Sequence, residues 1–197
     1  MSPGPPPLGA VLAGGAGRRL GGAKALTELA GRPLIHYPVA ALAAAGIEAA
    51  VVAKPDSELP EIGAAAVIAE PSEPRHPLAG IVAALRAAGG RPLVVLACDM
   101  PFAEPAFLAA LAAAPEPLVV PAPGGFLEPL AARYSAAALP ALEASLAREE
   151  PLRRAVHALR PRLLDDAELE RYGDPDRFLL NVNDAAGLSR AEALARA

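Results

Sequence analysis

Tryptophan and glutamine are absent from this 197-residue chain; lysine occurs only at Lys24 and Lys54, asparagine only at Asn181 and Asn183, and cysteine only at Cys98. One cysteine permits no internal disulfide and gives no zinc-ligand spacing. Inside the apolar run Val94 to Cys98 it reads as a small buried hydrophobe. No uninterrupted apolar run reaches the roughly 18 residues needed to span a bilayer. The opening Met1-Ser-Pro-Gly-Pro-Pro-Pro7 also lacks the basic segment of a secretory signal. A cytoplasmic chain without a membrane partner is therefore expected. A basic surplus is missing too: 18 Lys and Arg stand against 22 Asp and Glu, a net charge of −4, which argues against a nucleic-acid partner and for small ones.

What is there is alanine, proline, leucine and arginine in excess, on a length that suits one large α/β domain over residues 1–197, with no internal repeat. Against such a background the rare residues carry information. A chain that writes nearly all its cations as arginine has placed a compact ammonium at Lys24, and both of its asparagines fall within Asn181-Val-Asn183.

Lys24 ends a stretch that stands out on its own, Ala10-Val-Leu-Ala-Gly-Gly-Ala-Gly-Arg-Arg-Leu-Gly-Gly-Ala-Lys24, an apolar strand running into a glycine-rich loop. Glycines let backbone N–H groups turn toward an anion without a Cβ in the way, and Arg18, Arg19 and Lys24 add charge, so the stretch reads as a phosphate cradle. Two general templates fail on it. A P-loop requires Gly-Lys followed by Ser or Thr, whereas Ala23 separates Gly22 from Lys24 and Ala25 cannot ligate magnesium. A dinucleotide fingerprint begun at Gly15 and Gly17 would put Leu20 where close helix packing needs a glycine.

Beyond the loop, apolar runs and breakers alternate. Strands are expected over 8–13, 49–53, 64–69, 92–98 and 117–121, with helices over 31–46, 78–88, 104–114, 135–149, 152–159 and 188–196. Pro33 falls near the first turn of the first helix, and Pro38 either kinks it or marks its true start. His36 is expected to pack on that helix. Residues 126–134 read as a strand that mixes the sheet direction, and Arg162-Leu-Leu164 as an edge strand. Alternating strands and helices predict a three-layer, doubly wound, mostly parallel α/β sheet, in which ligands bind beyond the carboxyl ends of the strands. The glycine loop and Asp99, which closes the 92–98 strand, both fall there.

Five elements in order now carry a resemblance. Leu12-Ala13-Gly14-Gly15 with Arg19 and Lys24 is similar to the L-A-G-G-x-x-x-R-x-G-x-x-K signature of molybdenum-cofactor-type nucleotidyltransferases. Glu70 closes a strand where that family carries an acid, and His76-Pro77-Leu78-Ala79-Gly80 resembles its P-L-A-G element, with His in place of the usual Gly. Cys98-Asp99-Met100-Pro101 resembles C-D-x-P, and Phe178-Leu-Leu-Asn181-Val-Asn183 resembles F-x-N-V-N. Spanning Leu12 to Asn183, the resemblance is to the molybdenum cofactor guanylyltransferases, within the nucleotide-diphosphosugar transferase-like fold.

It implies transfer of GMP from GTP to molybdopterin with release of pyrophosphate. Asp99 is the implied Mg2+ ligand; Lys24 and Arg19 join it in catalysis. Leu12, Ala13, Gly14, Gly15, Lys24, Glu70, Pro77, Leu78, Gly80 and Asp99 are implied to bind the nucleotide, and Asn181 and Asn183 the acceptor. A carboxylate such as Glu70 can accept from both the ring N–H and the exocyclic amine of guanine, an edge that cytosine lacks. The expected protein is a monomer with at most transient contacts to other molybdenum cofactor proteins. Many loops of the family carry Asp before the lysine, where this chain has Ala23. Cytidylyl transfer to the same pterin, guanylyl transfer to another small phosphorylated acceptor, and a non-catalytic GTP-binding module all stay open. Arg153-Arg154 reads as a solvated helix face, with the acceptor phosphate as its other possible partner.

Overall fold

The computed structural model describes residues 5–15 and 24–196. Its frame is a seven-stranded sheet in the order β5-β4-β1-β6-β8-β7-β9. The strands are β1 (Leu8–Leu12), β4 (Glu48–Ala53), β5 (Ala66–Ala69), β6 (Leu93–Ala97), β7 (Leu118–Pro121), β8 (Ala131–Tyr134) and β9 (Arg162–Leu164). β1 pairs in parallel with β4 and β6, and β4 with β5; β8 runs antiparallel between β6 and β7, and β9 lies parallel to β7 at the far edge. The mixed direction expected for residues 126–134 is thus confined to β8, because the chain turns at Glu128 to Ala131 before pairing begins.

Strand side chains alternate between two cores, as the two-residue period of a strand requires. Val11, Val51, Val94 and Leu96 face one side, where helices α1 (His36–Ala44) and α3 (Pro105–Ala113) bury Leu42, Phe107 and Leu111 against them. Ala10, Val52, Leu93 and Val95 face the other, under α2 (Pro77–Ala87), α4 (Leu139–Ala147) and α5 (Leu152–Ala158). A sheet covered on both faces explains why its strands are near-continuous apolar runs rather than alternating ones.

The first helix departs from expectation. It starts at His36, not Gly31, because Arg32–Pro33 forms the short strand β3 of a two-stranded ladder with β2 (Glu28–Leu29). Pro38 consequently lies in the first turn, where its missing N–H costs nothing. The ring of His36 meets the Glu61 carbonyl at 2.9 Å. Two one-turn helices went unanticipated, α6 (Asp166–Leu169) and α7 (Pro175–Phe178), and the last helix, α8 (Ala185–Arg196), starts before Leu188. Both short helices begin at an aspartate whose side chain accepts a backbone N–H, Asp165 from Glu168 and Asp174 from Asp176. Among the described residues no helix is long and apolar enough to cross a membrane.

Candidate active site

Backbone pairing that runs on past the strand ends builds one edge of the sheet into a site. The Ala13 N–H donates to Val52, the Glu70 N–H to Ala53, and the Cys98 N–H to Leu12, at 2.8, 2.9 and 3.2 Å. These bonds set Gly14, Lys54, Glu70 and Asp99 in a row along the carboxyl ends of the parallel strands. Opposite β6, the antiparallel β8 brings its N-terminal end to the same edge, with Glu128 and Leu130 ahead of it. Together they line a cavity of about 590 Å3, which also includes Leu12, Gly15, Lys24, Arg75, His76, Pro77, Ala97, Cys98, Arg153, Asn181 and Asn183.

The centre is a three-residue knot. Lys24 donates from Nζ to the buried carboxylate of Asp99, and to Asn183 Oδ1 at 2.6 Å. The Val182 N–H donates to the Asp99 carbonyl at 2.9 Å, which holds the Asn181–Asn183 segment beside the end of β6. Residues 75 and 159 positions apart from Lys24 in sequence thereby meet at one ammonium. No shared element joins them; only the packing of the loop after β6 against the segment before α8 does.

At the other end lies a buried ion pair. Lys54 Nζ stands 3.3 Å from Glu70 Oε1 and donates to the Pro71 carbonyl at 2.6 Å, both side chains nearly free of solvent. Burial pushes the Glu70 carboxyl above its usual range, and the Lys54 ammonium only partly opposes this. The carboxylate is wedged between two glycines. A Cβ on Gly14 would sit 1.7 Å from Oε1, and one on Gly80 2.7 Å from Oε2. Close approach, rather than an unusual backbone angle, is what demands glycine at both positions.

Among the expected site residues, Leu12, Gly14, Gly15, Lys24, Glu70, Pro77, Asp99, Asn181 and Asn183 share the cavity. Ala13, Leu78 and Gly80 do not line it. Ala13 and Leu78 are core side chains, and Gly80 serves as the floor against Glu70. Leu78 also lacks the free N–H expected of a helix start, since its amide donates to His76 Nδ1 at 3.1 Å. His76, in the place where the resemblance has Gly, is thus the N-cap of α2. Arg19 lies outside the described residues. Cys98 lines the cavity, yet burial raises its thiol to about 12, so it stays protonated and offers no thiolate nucleophile.

Glu128, Lys54 and Arg75 line the cavity although the sequence reading gives them no place there, whereas Arg153 lies where its second reading, the acceptor phosphate, would put it. Arg153 is exposed, as a solvated face requires, and also lines the cavity, its Nε donating to the Leu127 carbonyl at 2.9 Å. The rarity of lysine was an available signal for Lys54. Nothing in the local sequence marked Glu128.

Asp99 and Asn183 Oδ1, which share the Lys24 ammonium, are hard-oxygen donors, and that ammonium sits against the carboxylate where a cation would be favoured. Among the described residues no three His, Cys, Asp or Glu side chains form a metal cage. A single carboxylate suits Mg2+, which keeps waters and completes its shell with substrate phosphates. The residues present fit that ion.

A family model described as MobA-like NTP transferase domain matches residues 9–163, which sets the class: a nucleotidyltransferase. The chain is 40% identical over 158 residues to a protein of Opitutus terrae named as a probable molybdenum cofactor guanylyltransferase, covering 77% of this chain and 78% of that one. It is 35% identical over 188 residues to a molybdenum cofactor guanylyltransferase of Acidiphilium cryptum, covering 93% and 92%. Among solved structures it is similar to molybdopterin-guanine dinucleotide biosynthesis protein A of Archaeoglobus fulgidus, with a TM-score of 0.79 and 27% identity over 95% and 98% of the two chains. The chain belongs to the MobA-like NTP transferase family.

Proposed function

We propose that the chain acts as one nucleotidyltransferase domain that transfers GMP from GTP to the terminal phosphate of molybdopterin, as a Mg2+-dependent cytoplasmic monomer. The observation that carries the reading is the Lys24–Asp99–Asn183 knot beside Gly14 and Gly15, a cation and a metal-ligating carboxylate at one point of the sheet edge. The names of the relatives support the choice of donor and acceptor.

In this mechanism the nucleotide lies over β5, β4 and β1, with Glu70 and Lys54 toward the base and the Gly14–Gly15 backbone and Lys24 toward the phosphates. Asp99, with Asn183, would hold Mg2+. When bound, the ion supplies charge neutralisation at the α-phosphate and the leaving pyrophosphate. Asn181 and Arg153 take the acceptor, whose phosphate monoester has a second pKa near 6 and is largely ionised at neutral pH. No strong base is needed. An acceptor phosphate oxygen attacks the α-phosphorus, the bond to the β-phosphate oxygen breaks, and that electron pair leaves with pyrophosphate, so the chain's part is positioning and electrostatics.

The test is a matrix of GTP, CTP and ATP with Mg2+ and molybdopterin, scored by pyrophosphate release. GTP preference supports the reading. CTP preference keeps the reaction class and overturns the base; GTP binding without pyrophosphate release under any pairing makes the chain a binding module.

A further inference from the structure

Glu128 is the cavity carboxylate that the mechanism leaves unused. Asp99 is engaged by Lys24 and Glu70 by Lys54, whereas among the described residues Glu128 forms no salt bridge within 4 Å. It is nevertheless firmly placed. Its own N–H donates to the Pro121 carbonyl at 2.8 Å; its carbonyl accepts from Ala131 at 3.2 Å. The next two residues are fixed as well, Pro129 by the Tyr134 hydroxyl at 2.8 Å and Leu130 by the Ala97 N–H at 2.9 Å. The side chain lies among Arg153, Asp99 and Asn181, and burial raises its carboxyl above the usual range. Such a group, its backbone held at both ends and its side chain facing the cavity without an ion-pair partner among the described residues, has acceptor capacity for N–H groups from something that enters the cavity.

Position says which substrate supplies them. The base end of the nucleotide, as read above, is at Glu70, beyond β1 and β4; Glu128 stands on the opposite side of Asp99, ahead of β8, with Arg153 and Asn181. Resting on the proposed reaction, we propose that Glu128 reads the heterocycle of the acceptor, accepting from the ring N–H and the 2-amino group of a 2-amino-4-oxo-pyrimidine edge such as a pterin presents. A carboxylate matches that pair of adjacent donors with its two oxygens. A primary amide cannot, because its NH2 would face one of them.

The experiment compares wild type with Glu128→Gln and Glu128→Asp in the GTP–molybdopterin assay. It also measures binding of a fluorescent GTP analogue and of Mn2+. Glu128→Gln is expected to raise the acceptor KM about ten- to a hundredfold, the range of a lost charge-assisted hydrogen bond. The KM for GTP, the affinity for the analogue and the affinity for Mn2+ stay within about threefold, and those binding values report an intact fold. Glu128→Asp, which keeps the charge, recovers part of the loss. An unchanged acceptor KM overturns the assignment, and so does a loss confined to nucleotide or Mn2+ binding, which would move Glu128 to the donor side. A wild-type protein that does not turn over molybdopterin with GTP overturns the underlying reaction and this assignment with it.

Discussion

The two ends of the cavity are built differently. Over β5, β4 and β1 the parts interlock: Glu70 is clamped by Lys54 and by the bare faces of Gly14 and Gly80, and Lys54 in turn is tied to the Pro71 carbonyl. Over β6 and β8 the polar side chains come from four separate segments, at Asp99, Glu128, Arg153 and Asn181–Asn183, joined by a few long-range bonds such as Val182 to Asp99. The first end spends its polar groups on one another and so fixes its own shape. The second keeps polar groups turned toward the cavity. A change at the first end should therefore register mainly as stability, and a change at the second mainly as kinetics.

Gly14→Ala and Lys54→Met test the stability side and carry the largest expected effects. Removing one partner of a buried pair costs about 3–5 kcal/mol, with Lys54→Met toward the lower figure because Glu70 can take up a proton. For a chain of this size each kcal/mol lowers Tm by roughly 2–4 °C, which thermal unfolding at neutral pH would read. A double change, Lys54→Met with Glu70→Leu, should restore much of the loss, since a well-packed apolar pair often replaces a buried ion pair without penalty. Failure to restore would show that the pair does more than fill the space beneath Gly14.

Next in size is Asp99→Ala. Turnover is expected to fall by a factor of about a hundred or more, the scale of a lost electrostatic group in a catalytic site, while thermal unfolding stays close to wild type. Near-normal pyrophosphate release would remove Asp99 from the metal assignment. Arg153→Ala should be milder, with the acceptor KM rising about tenfold and the KM for GTP unchanged, in line with one charge-assisted contact. An equal rise for both substrates would erase the distinction between the two ends.

The smallest effect is on the pH dependence of stability. Because the Glu128 carboxyl is raised in the folded state, its contribution to stability is complete below the ordinary glutamate value of 4.5 and is lost as pH rises through the folded value. Glu128→Gln removes that loss. Its Tm relative to wild type should rise between about pH 4.5 and pH 8, with the larger advantage at the alkaline end; a difference that is flat with pH would contradict the raised carboxyl.

Much of this was legible in the residues. The runs at Leu8–Leu12, Glu48–Ala53 and Leu93–Ala97 announce buried parallel strands because a sheet covered on both faces needs apolar side chains on both. His76-Pro77 announces a helix start, as cap geometry and proline's missing N–H act over a few residues. The ladder at Leu29 and Arg32 was hidden, because Pro33 fits a helix start as well as a strand end. The choice between the two readings of Arg153 was not local either, since its place at the cavity goes with a bond to the Leu127 carbonyl, 26 residues away.

The sequence by itself determined that a doubly wound sheet carries a glycine turn, a carboxylate after a central strand and a pair of asparagines, because strand periodicity, turn chemistry and motif spacing are local properties. The tertiary structure alone decided that Lys24 joins Asp99 to Asn183, that Lys54 clamps Glu70 beneath two glycines, and that Glu128 turns into the cavity with no ion-pair partner among the described residues. Those are meetings between segments tens of residues or more apart, set by which strand lies beside which in the sheet, and no window of sequence contains them.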